Sequence, residues 1–583
     1  MFDWLHRLNR RRLRRRRAAQ ARAAWQAWLK LDDPADAQVA SALRERAQRL
    51  TQRPLISVCF WPDAPLDDDA VAALREQMYP RWELLVPSDA PPPVDERIRV
   101  VRETAPTAIG RFNATVAQAL GEWVVPLQAA DRLACHALLL LAEAAERFDR
   151  ADLIHADSDH IARSGVRHSP WLLCDANLEL LRSADYLSGF TAIRRSAWTA
   201  LGGLRSDLDG AAWHDLKLKL FERAPSRPVV HVPHVLLHHR AEAPQPAQAP
   251  PPASALQVQA VAQHLQRCAV AASVEPARDG GAWVRYVCPA PAPKVSLIVP
   301  TRNGLHLLRR CIDSVLTRTD YPDFEILIVD NGSDDPATLE YLRTIESEPR
   351  VRVRRDDRPF NFAALNNDAV PHCHGELLAF VNNDIEATDG CWLAEMVGHA
   401  LRPDVGAVGA RLWYGDGTLQ HGGVLLGLGG WAGHMHSHLR PDEPGHAGRA
   451  RLTQELSAVT AACMLVRRTV YQQVGGMDAD HLVVDFNDID FCLKLRAAGY
   501  RVIWTPHAQL IHHESATRGA NRSTEQLARY ARESACMRQR WARWLDNDPA
   551  YNPNWSLRNR DFEFTVAAEP RVSLLRPWFD SGG

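Results

Sequence analysis

The chain has few of the features that mark secreted or membrane-spanning proteins. Its eleven cysteines are scattered, odd in number and without a C-x-x-C pair, which favours reduced thiols over a disulfide framework. No apolar run approaches the roughly 18 residues of a membrane span, and no cleavable signal peptide is visible. A formal net charge of −1 gives no overall attraction to nucleic acid or membrane. These absences predict a soluble, cytoplasmic protein.

One segment departs from this even composition. Seven of the eight residues from 10 to 17 are arginine, and apolar side chains such as Trp25, Trp28 and Leu29 lie nearby. Three interpretations stay open: a helix on anionic lipid at the cytoplasmic face of the inner membrane, a solvated basic helix, or a nucleic-acid contact. No recognition motif accompanies the arginines, so we expect no nucleic-acid partner.

An internal repeat organises the rest of the chain. Tyr79-Pro80, ahead of an apolar run, recurs as Tyr321-Pro322. Later landmarks recur in the same order: Arg194-Arg195, Gly202-Gly203, His214-Asp215 and His238-His239, then Arg467-Arg468, Gly475-Gly476, Asn487-Asp488 and His512-His513. Strands alternate with helices in each copy. This pattern predicts an α/β fold of two tandem domains, each with a mostly parallel sheet.

With 583 residues, the chain is too long for a single core, and roughly three or four domains are expected. The repeat and the composition predict five parts. They are a basic N-terminal helical segment (1–50), a first α/β domain (51–240), a Pro/Ala-rich linker with a small connecting segment (241–290), a second α/β domain (291–520) and a C-terminal helical extension (521–583).

Polar clusters follow three successive strands of the second copy, at Thr301, Asp330 and Asn382. Ligands of open α/β sheets bind outside the carboxyl ends of the strands. The third cluster ends in Asp384, and a carboxylate beside amide groups offers the oxygen ligands by which Mg²⁺ or Mn²⁺ is held against a diphosphate. Asn and Asp after a strand also serve simply as turn residues.

Taken together, these residues resemble glycosyltransferase family 2, of the inverting GT-A type. The likeness is greatest to tandem-domain bacterial enzymes of O-antigen and other surface polysaccharides, including rhamnosyltransferase-like members. It extends over about 294–560 and more faintly over about 53–240. The matching segments are the strand and loop at 295–304, Val329-Asp330-Asn331-Gly332-Ser333, the segment 359–367, Asn382-Asn383-Asp384 as a variant of D-x-D, Asn487-Asp488-Ile489-Asp490, and His512-His513-Glu514.

The resemblance implies an inverting, metal-dependent glycosyltransferase that uses Mg²⁺ or Mn²⁺. Its donor would be a nucleotide sugar, and its acceptor a surface-polysaccharide or lipid-linked glycan. Asp488 would be the catalytic base, while Asp384 and His512 would hold the metal. The nucleotide sugar would contact Thr301, Asn303, Asp330, Asn331, Asn361, Asn366, Asn382 and Asn383. Two simpler roles stay open, because Asp488 also suits the first turn of a helix and His512 also suits a structural position.

The first copy departs from this pattern. Gln128-Ala129-Ala130 stands in place of Asn382-Asn383-Asp384, with Asp131 shifted by one position. Pro62-Asp63-Ala64 replaces the first loop, Ser88 replaces Asp330, and Lys217 replaces Asp490, although Asp215 keeps the position of the base. We therefore expect the first domain to be a structural or acceptor-binding module without activity of its own.

Three further alternatives remain. A sugar-phosphate nucleotidyltransferase would need a richer phosphate loop than Pro300-Thr301-Arg302-Asn303-Gly304 provides. A carbohydrate-binding scaffold partner of another glycosyltransferase would not need both Asp384 and Asp488. The glycine-rich segment 415–448 holds His434, His436 and His438, whose spacing is compatible with zinc but lacks cysteine partners. By family resemblance this segment would cover the acceptor side.

Overall fold

The structure is a computed structural model that describes residues 19–31, 33–62, 65, 67–87, 95–224, 226–241, 251–513, 523–558 and 565–579. The arginine run, Asp63, Ala64, Ser88, residues 242–250 of the predicted linker and Glu514 lie outside these residues. Within them, no helix combines the length and apolarity needed to span a bilayer.

Two helices precede the first sheet: α1 covers residues 19–29, and α2 is Ala37–Arg49. The rings of Trp25 and Trp28 in α1 stack with their centroids 5.0 Å apart, and these residues are 1% and 6% exposed. Both belong to a core cluster formed mainly by the second domain. Protein already buries these two tryptophans, so they do not offer apolar surface to a membrane. The predicted basic helix upstream of them lies outside the described residues.

The first domain is built on a nine-stranded sheet with strand order β3-β2-β1-β4-β8-β6-β9-β5, and β7 pairs with β6. Its elements are β1 (Ile56–Phe60), α3 (Asp68–Arg75), β2 (Trp82–Pro87), β3 (Ile98–Val101), α4 (Ala108–Ala117), β4 (Trp123–Leu127), β5 (Arg132–Leu133), α5 (Ala137–Arg147), β6 (Leu153–Ile161), β7 (Arg167–Trp171), α6 (Leu178–Ser183), β8 (Phe190–Arg194), α7 (Arg195–Leu201), α8 (Ala212–Glu222) and β9 (Val229–Arg240). A helix and a hairpin follow: α9 (Ala255–Arg267), β10 (Ala272–Pro276) and β11 (Ala282–Tyr286).

The second domain repeats this strand order as β14-β13-β12-β15-β22-β17-β23-β16, with β18 on β17 and β21 on β23. Its elements are β12 (Val295–Thr301), α10 (Leu305–Arg318), β13 (Phe324–Asp330), α11 (Pro336–Ile345), β14 (Val351–Arg355), α12 (Phe362–Ala369), β15 (Leu377–Val381), β16 (Ile385–Ala387), α13 (Trp392–Ala400), β17 (Val405–Trp413), β18 (Leu419–His421), β19 (Val424–Leu426), β20 (Ala432–His434), β21 (Gln454–Leu456), β22 (Cys463–Arg467), α14 (Arg468–Gln473), α15 (Asn487–Ala497) and β23 (Arg501–His512). The long helix α16 (Thr524–Asp546) follows it.

The sheet of the second domain is mixed. Its first four strands, β14, β13, β12 and β15, run parallel, whereas β22 pairs antiparallel with both β15 and β17. Apolar clusters cover the two faces of the sheet. Helix α10 shows why the sequence folds this way, because Leu308, Cys311, Ile312 and Val315 recur at helical spacing and are all buried. The parallel strands bring their carboxyl ends to one edge, where a ligand can bind.

A buried charge network joins the two domains. Glu179, on α6 of the first domain, is 2% exposed and pairs with Arg182 of its own helix. It also pairs with Arg402 and Arg501 of the second domain, with the Arg501 Nη1 to Glu179 Oε1 distance at 2.8 Å. Burial opposes ionisation, but the three arginines outweigh it and hold the pKa of Glu179 well below its ordinary value. One carboxylate thus neutralises charge from both sides of the interface.

Candidate active site

A cleft of about 400 Å³ opens at the carboxyl ends of β12, β13 and β15. Strands ending on the same side of a sheet bring their following residues together, as the sequence predicted for this edge. Seven of the predicted site residues line the cleft: Thr301, Asn331, Asn382, Asn383, Asp384, Asp488 and His512. The cleft also has an apolar wall, which contains Phe360, Phe362, Leu365 and Val484.

Asp384 and His512 meet because of strand register. Ile385, which begins β16, pairs with His512 at the end of β23, so the preceding aspartate lies beside the imidazole. Nε2 of His512 is 3.0 Å from Oδ1 of Asp384, and the two residues are 7% and 8% exposed. Burial opposes ionisation of Asp384, but the neighbouring imidazole outweighs it, so the pKa of this carboxyl lies below its ordinary value.

The surroundings of His512 indicate the tautomer of its neutral ring. Nδ1 of His512 lies 2.7 Å from Oε1 of Gln420, a side chain that is 2% exposed. Because that oxygen only accepts hydrogen bonds, the neutral ring carries its proton on Nδ1 and turns the lone pair of Nε2 toward Asp384. Oδ1 of Asp384 is buried and makes no hydrogen bond of regular geometry. In that form, a proton or a metal ion would satisfy both atoms, and Nδ2 of Asn382 lies 3.4 Å from the same nitrogen.

This pair fits a divalent cation. Two neighbouring ligands of an octahedral ion at about 2.1 Å lie about 3.0 Å apart, which is the separation found here. Asn382 and Asn383 also line the cleft, and Nδ2 of Asn382 is the atom that lies near Nε2 of His512. Nδ2 of Asn383 donates to Oγ1 of Thr301 at 2.9 Å, which ties this cluster to the first loop. The donor set is that of a hard cation with one imidazole.

Asp488 lies in the first turn of α15 and also lines the cleft. Its Oδ2 accepts the N–H of Ala461 at 3.1 Å, from the loop before β22, and its Oδ1 accepts the N–H of Ile489 at 2.9 Å. The other acids of this region have different partners. Asp490 is fully buried and accepts from Nε1 of Trp541 at 2.8 Å, and Asp485 interacts with Arg529 at 3.4 Å. Among these three carboxylates, only Asp488 lines the cleft.

Asn331 presents an acceptor to the cleft. Its Nδ2 donates to the carbonyl oxygens of Asp356 and Arg358, at 2.9 and 2.8 Å. These two hydrogen bonds fix the amide, and its Oδ1 is left buried without a hydrogen bond. A buried acceptor without a donor is costly, so this oxygen is suited to receive an N–H or O–H from a ligand.

The four remaining predicted contacts lie outside the lining. Asp330 is bound by Arg355 at 2.8 Å and by the N–H of Ser333. Asn303 accepts the N–H groups of Asp334 and Asp335, Asn361 is the N-cap of α12, and Asn366 donates to the carbonyl of Phe362. In this structure these side chains support the loops that shape the cleft. Their direct contact with a nucleotide sugar stays a prediction.

The equivalent position in the first domain differs from the sequence-based alignment. Arg132 of β5 pairs with His238 of β9, just as Ile385 pairs with His512. The residue before each pair is Asp131 in one domain and Asp384 in the other. Strand register therefore aligns Asp131, rather than Ala130, with Asp384, because the loop before it is one residue longer. Asp131 binds Nδ1 of His239 at 2.9 Å.

The histidine-rich segment 415–448 contains three short strands, β18 to β20. Nδ1 of His421 is 2.7 Å from Nδ1 of His434, whereas His438 stacks on Tyr414 and His446 packs edge-on against Trp555. In the described part of the chain, only Glu222, His264 and Cys268 form a group of three with metal-ligand spacing. The zinc alternative for this segment therefore has no cluster to support it among the described residues.

The structure adds one supporting residue that the sequence analysis missed. Gln420 orients His512, but no local motif singles out a glutamine between Leu419 and His421. Its role depends on β18 being placed beside the end of β23, through the pairing of both with β17. Such a contact is visible only after the chain has folded.

Comparison with known proteins gives a family match for part of the second domain and relatives for most of the chain. Residues 296–475 match the description of Glycosyl transferase family 2. The chain is 40% identical over 556 residues to uncharacterized protein y4gI of Sinorhizobium fredii, covering 91% of this chain and 61% of the relative. It is 37% identical over 566 residues to O-antigen biosynthesis protein RfbC of Myxococcus xanthus, covering 92% of this chain and 43% of the relative. The chain thus spans about half the length of these relatives.

Among solved structures, the chain is similar to mannosyltransferase PcManGT from Pyrobaculum calidifontis, which was determined in complex with GDP-Man and Mn²⁺. The sequence identity is 20%, the TM-score is 0.29, and the match covers 40% of this chain and 60% of that one. The second domain is therefore similar to glycosyltransferase family 2 over residues 296–475.

Proposed function

We propose that the chain transfers a sugar, with inversion, from a nucleotide-sugar donor to a surface-polysaccharide or lipid-linked glycan acceptor. The observation that carries the proposal is the presence of Asp384 and Asp488 in the lining of one cleft. The O-antigen assignment of the Myxococcus xanthus relative supports an acceptor of this class. The resemblance to rhamnosyltransferase-like members favours a dTDP-linked donor.

In this mechanism Asp384 and His512 would hold Mg²⁺ or Mn²⁺, with Asn382 and Asn383 beside them. The bound cation would act as a Lewis acid and neutralise charge on the leaving diphosphate. Asn331 offers its buried Oδ1 to a donor group of the nucleotide. Mg²⁺ strongly prefers oxygen ligands. Activity with Mg²⁺ compared with Mn²⁺ therefore tests whether the imidazole of His512 is a ligand.

Asp488 removes the proton of the acceptor hydroxyl as the reaction proceeds. The acceptor oxygen forms its bond to the anomeric carbon on one face, while the bond to the diphosphate oxygen breaks on the opposite face. This arrangement inverts the anomeric configuration. The apolar wall around Phe362, Leu365 and Val484 limits water near the reacting carbon, which reduces hydrolysis of the donor.

The first experiment is a panel of nucleotide sugars incubated with the full chain and either Mn²⁺ or Mg²⁺. Release of nucleoside diphosphate reports transfer or hydrolysis, and donor-dependent thermal stabilisation reports binding. One donor should give both signals, and only with metal. Stabilisation without release by any donor, even after a glycan acceptor is added, would instead favour the carbohydrate-binding scaffold.

Asp488→Asn then tests the base, because it keeps the shape of the side chain but removes its basicity. Turnover should fall by about two to four orders of magnitude, the range of general base catalysis, with donor affinity little changed. Asp480→Asn is the matched control, since Asp480 is exposed and does not line the cleft. Near-normal turnover of Asp488→Asn would mean that the carboxylate only holds the Ala461 N–H and the start of α15.

A further inference from the structure

Helix α16 binds the segment that carries Asp488 at several points. Oε2 of Glu533 accepts the N–H of Asp485 at 2.6 Å, three residues before Asp488. Nε1 of Trp541 donates to Asp490 at 2.8 Å, two residues after it, and Arg540 pairs with Asp478 at 2.6 Å. These contacts lie on both sides of Asp488 along the chain.

The backbone between these contacts is strained. Phe486, the N-cap residue of α15, has φ +63° and ψ 2°, a left-handed conformation that a bulky side chain rarely adopts. Such a residue costs on the order of 1–3 kcal/mol and persists only where its surroundings hold it. No side-chain hydrogen bond caps this helix start. The ring of Phe486 packs instead on Tyr530 of α16, with centroids 5.3 Å apart, and on Trp431 at 6.2 Å.

Glu533 is the polar part of this support. It is 1% exposed, and its Oε1 makes no hydrogen bond although Arg529 Nε lies 3.5 Å away. Burial and the nearby Asp485 carboxylate raise the pKa of Glu533 above its ordinary value. Burying an acid costs free energy of folding. The hydrogen bond of Glu533 to the backbone N–H next to the strained Phe486 therefore indicates a structural role at this turn. Truncating Glu533 would leave the Asp485 N–H without its acceptor and loosen the turn into α15.

We propose that Glu533 is a positioning residue for sugar transfer, because its hydrogen bond to Asp485 fixes the backbone that aims Asp488 into the cleft. This inference rests on the proposed role of Asp488 as the base. Asp488 and α16 both follow the segment 296–475 that matches the family, and α16 also lies outside the sheet of the second domain. The C-terminal helix would therefore complete the acceptor side of the site from outside that segment.

The test uses the full chain with the donor that supports transfer, and it compares Glu533→Ala, Glu533→Gln and the control Glu525→Ala. Glu525 is an exposed residue in the first turn of the same helix. Glu533→Ala should lower kcat about 10²-fold, the scale of a displacement of about 1 Å at a reacting group, with KM for the donor unchanged. Glu533→Gln keeps an oxygen acceptor and should recover most of kcat. Glu525→Ala should match the wild type.

Two further measurements separate positioning from a general loss of structure. Hydrogen exchange should be faster at the Asp485 amide in Glu533→Ala, with exchange in the central strands unchanged. In a chain that already carries Asp488→Asn, adding Glu533→Ala should lower turnover little further, because the group that it aims is gone.

An unchanged kcat in Glu533→Ala would overturn the positioning role, whatever the exchange of the Asp485 amide. Fully additive losses with Asp488→Asn would also overturn it. If the wild-type chain transfers no sugar, the proposed function fails, and the positioning role fails with it. Transfer by the wild type combined with normal transfer by Glu533→Ala would leave the proposed function standing and remove only this inference.

Discussion

The two domains share one strand order, yet the carboxylate at the position of the proposed base has opposite surroundings in the two. Asp488 of the second domain lines an open cleft. Asp215 of the first domain is fully buried, pairs with Lys219 at 2.6 Å and lies 3.5 Å from Arg267 of α9. The helix after the first domain packs on α8 and places positive charge on this carboxylate. The same residue type can therefore be present at this position in both domains and be accessible to a substrate in only one of them.

The carboxylates at the proposed metal position differ less. Asp131 matches Asp384 in strand register, but it binds Nδ1 of His239, and Asp159 binds Nδ1 of His238 and the guanidinium of Arg167. The amide pair of the second domain is absent, since Gln128-Ala129-Ala130 precedes Asp131. The first domain keeps a carboxylate with a protein partner, whereas the second combines a carboxylate, an imidazole and two amides at one cleft. The composition around the carboxylate is what differs.

The largest expected effect tests this contrast directly. Asp384→Ala should abolish metal-dependent transfer, a loss of at least about 10³-fold, because stabilisation of the leaving diphosphate is worth several kcal/mol. Asp131→Ala and Asp215→Ala should leave transfer largely intact. The measurement is transfer by all three folded variants while the metal is titrated. Loss of transfer in Asp131→Ala or Asp215→Ala, with activity kept in Asp384→Ala, would reverse the assignment of the two domains.

Much of the arrangement of the cleft residues could be predicted from the sequence. Apolar runs and the polar residues after them placed Thr301, Asn331 and Asp384 at one sheet edge, because parallel strands must end together. The match between Asp131 and Asp384 was not predictable in the same way. In the sequence Asp131 is shifted by one position, but the loop before it is one residue longer, so the two aspartates occupy the same place in the strand register. The burial of Trp25 and the support from Glu533 depend on packing between distant segments. Local patterns do not specify those contacts.

The second prediction concerns what joins the two domains. Glu179→Ala would leave Arg182 buried without a carboxylate and would remove one partner from the partly exposed Arg402 and Arg501, of which Arg501 keeps Asp404 and Glu455. Removing one partner of a buried ion pair typically costs about 3–5 kcal/mol, because the remaining charge is uncompensated. We expect the free energy of unfolding to fall by this amount in urea denaturation. The control is Glu340→Ala, whose exposed pair with Arg343 should contribute less than about 1 kcal/mol. Equal midpoints for the two variants would show that the network does not hold the domains together.

The third prediction uses pH to compare the cores of the two domains. Burial lowers the pKa of His234 in the first domain and of His446 in the second to about 3. The unfolded chain binds these protons near pH 6.5, so protonation favours unfolding as the pH falls below that value. Each histidine should remove about 1.4 kcal/mol of stability per pH unit between about pH 6.5 and 3.

Urea denaturation of the wild type at pH 7, 6 and 5 should show this decline. His234→Phe and His446→Phe should each make the dependence on pH shallower, and by similar amounts. His481→Phe is the control, because His481 is exposed. An unchanged pH dependence in both core variants would show that these histidines are not held neutral. A change in only one variant would place the acid sensitivity in one domain.

The smallest expected effect on transfer comes from the N-terminal arginines. Unlike the residues of the cleft, they would affect only the binding of the protein to a membrane. Trp25 and Trp28 belong to a protein core, so removing residues 1–30 would damage the fold, and the test must change residues 10–17 alone. Each basic residue near an anionic surface contributes about 1 kcal/mol, which salt screens. Replacing the seven arginines with glutamine should reduce sedimentation with anionic vesicles at about 0.15 M salt. Diphosphate release with a soluble acceptor should stay unchanged, because this charge neither binds the donor nor takes the acceptor proton. Equal vesicle binding by the glutamine variant and the wild type would remove the membrane role and favour a solvated segment.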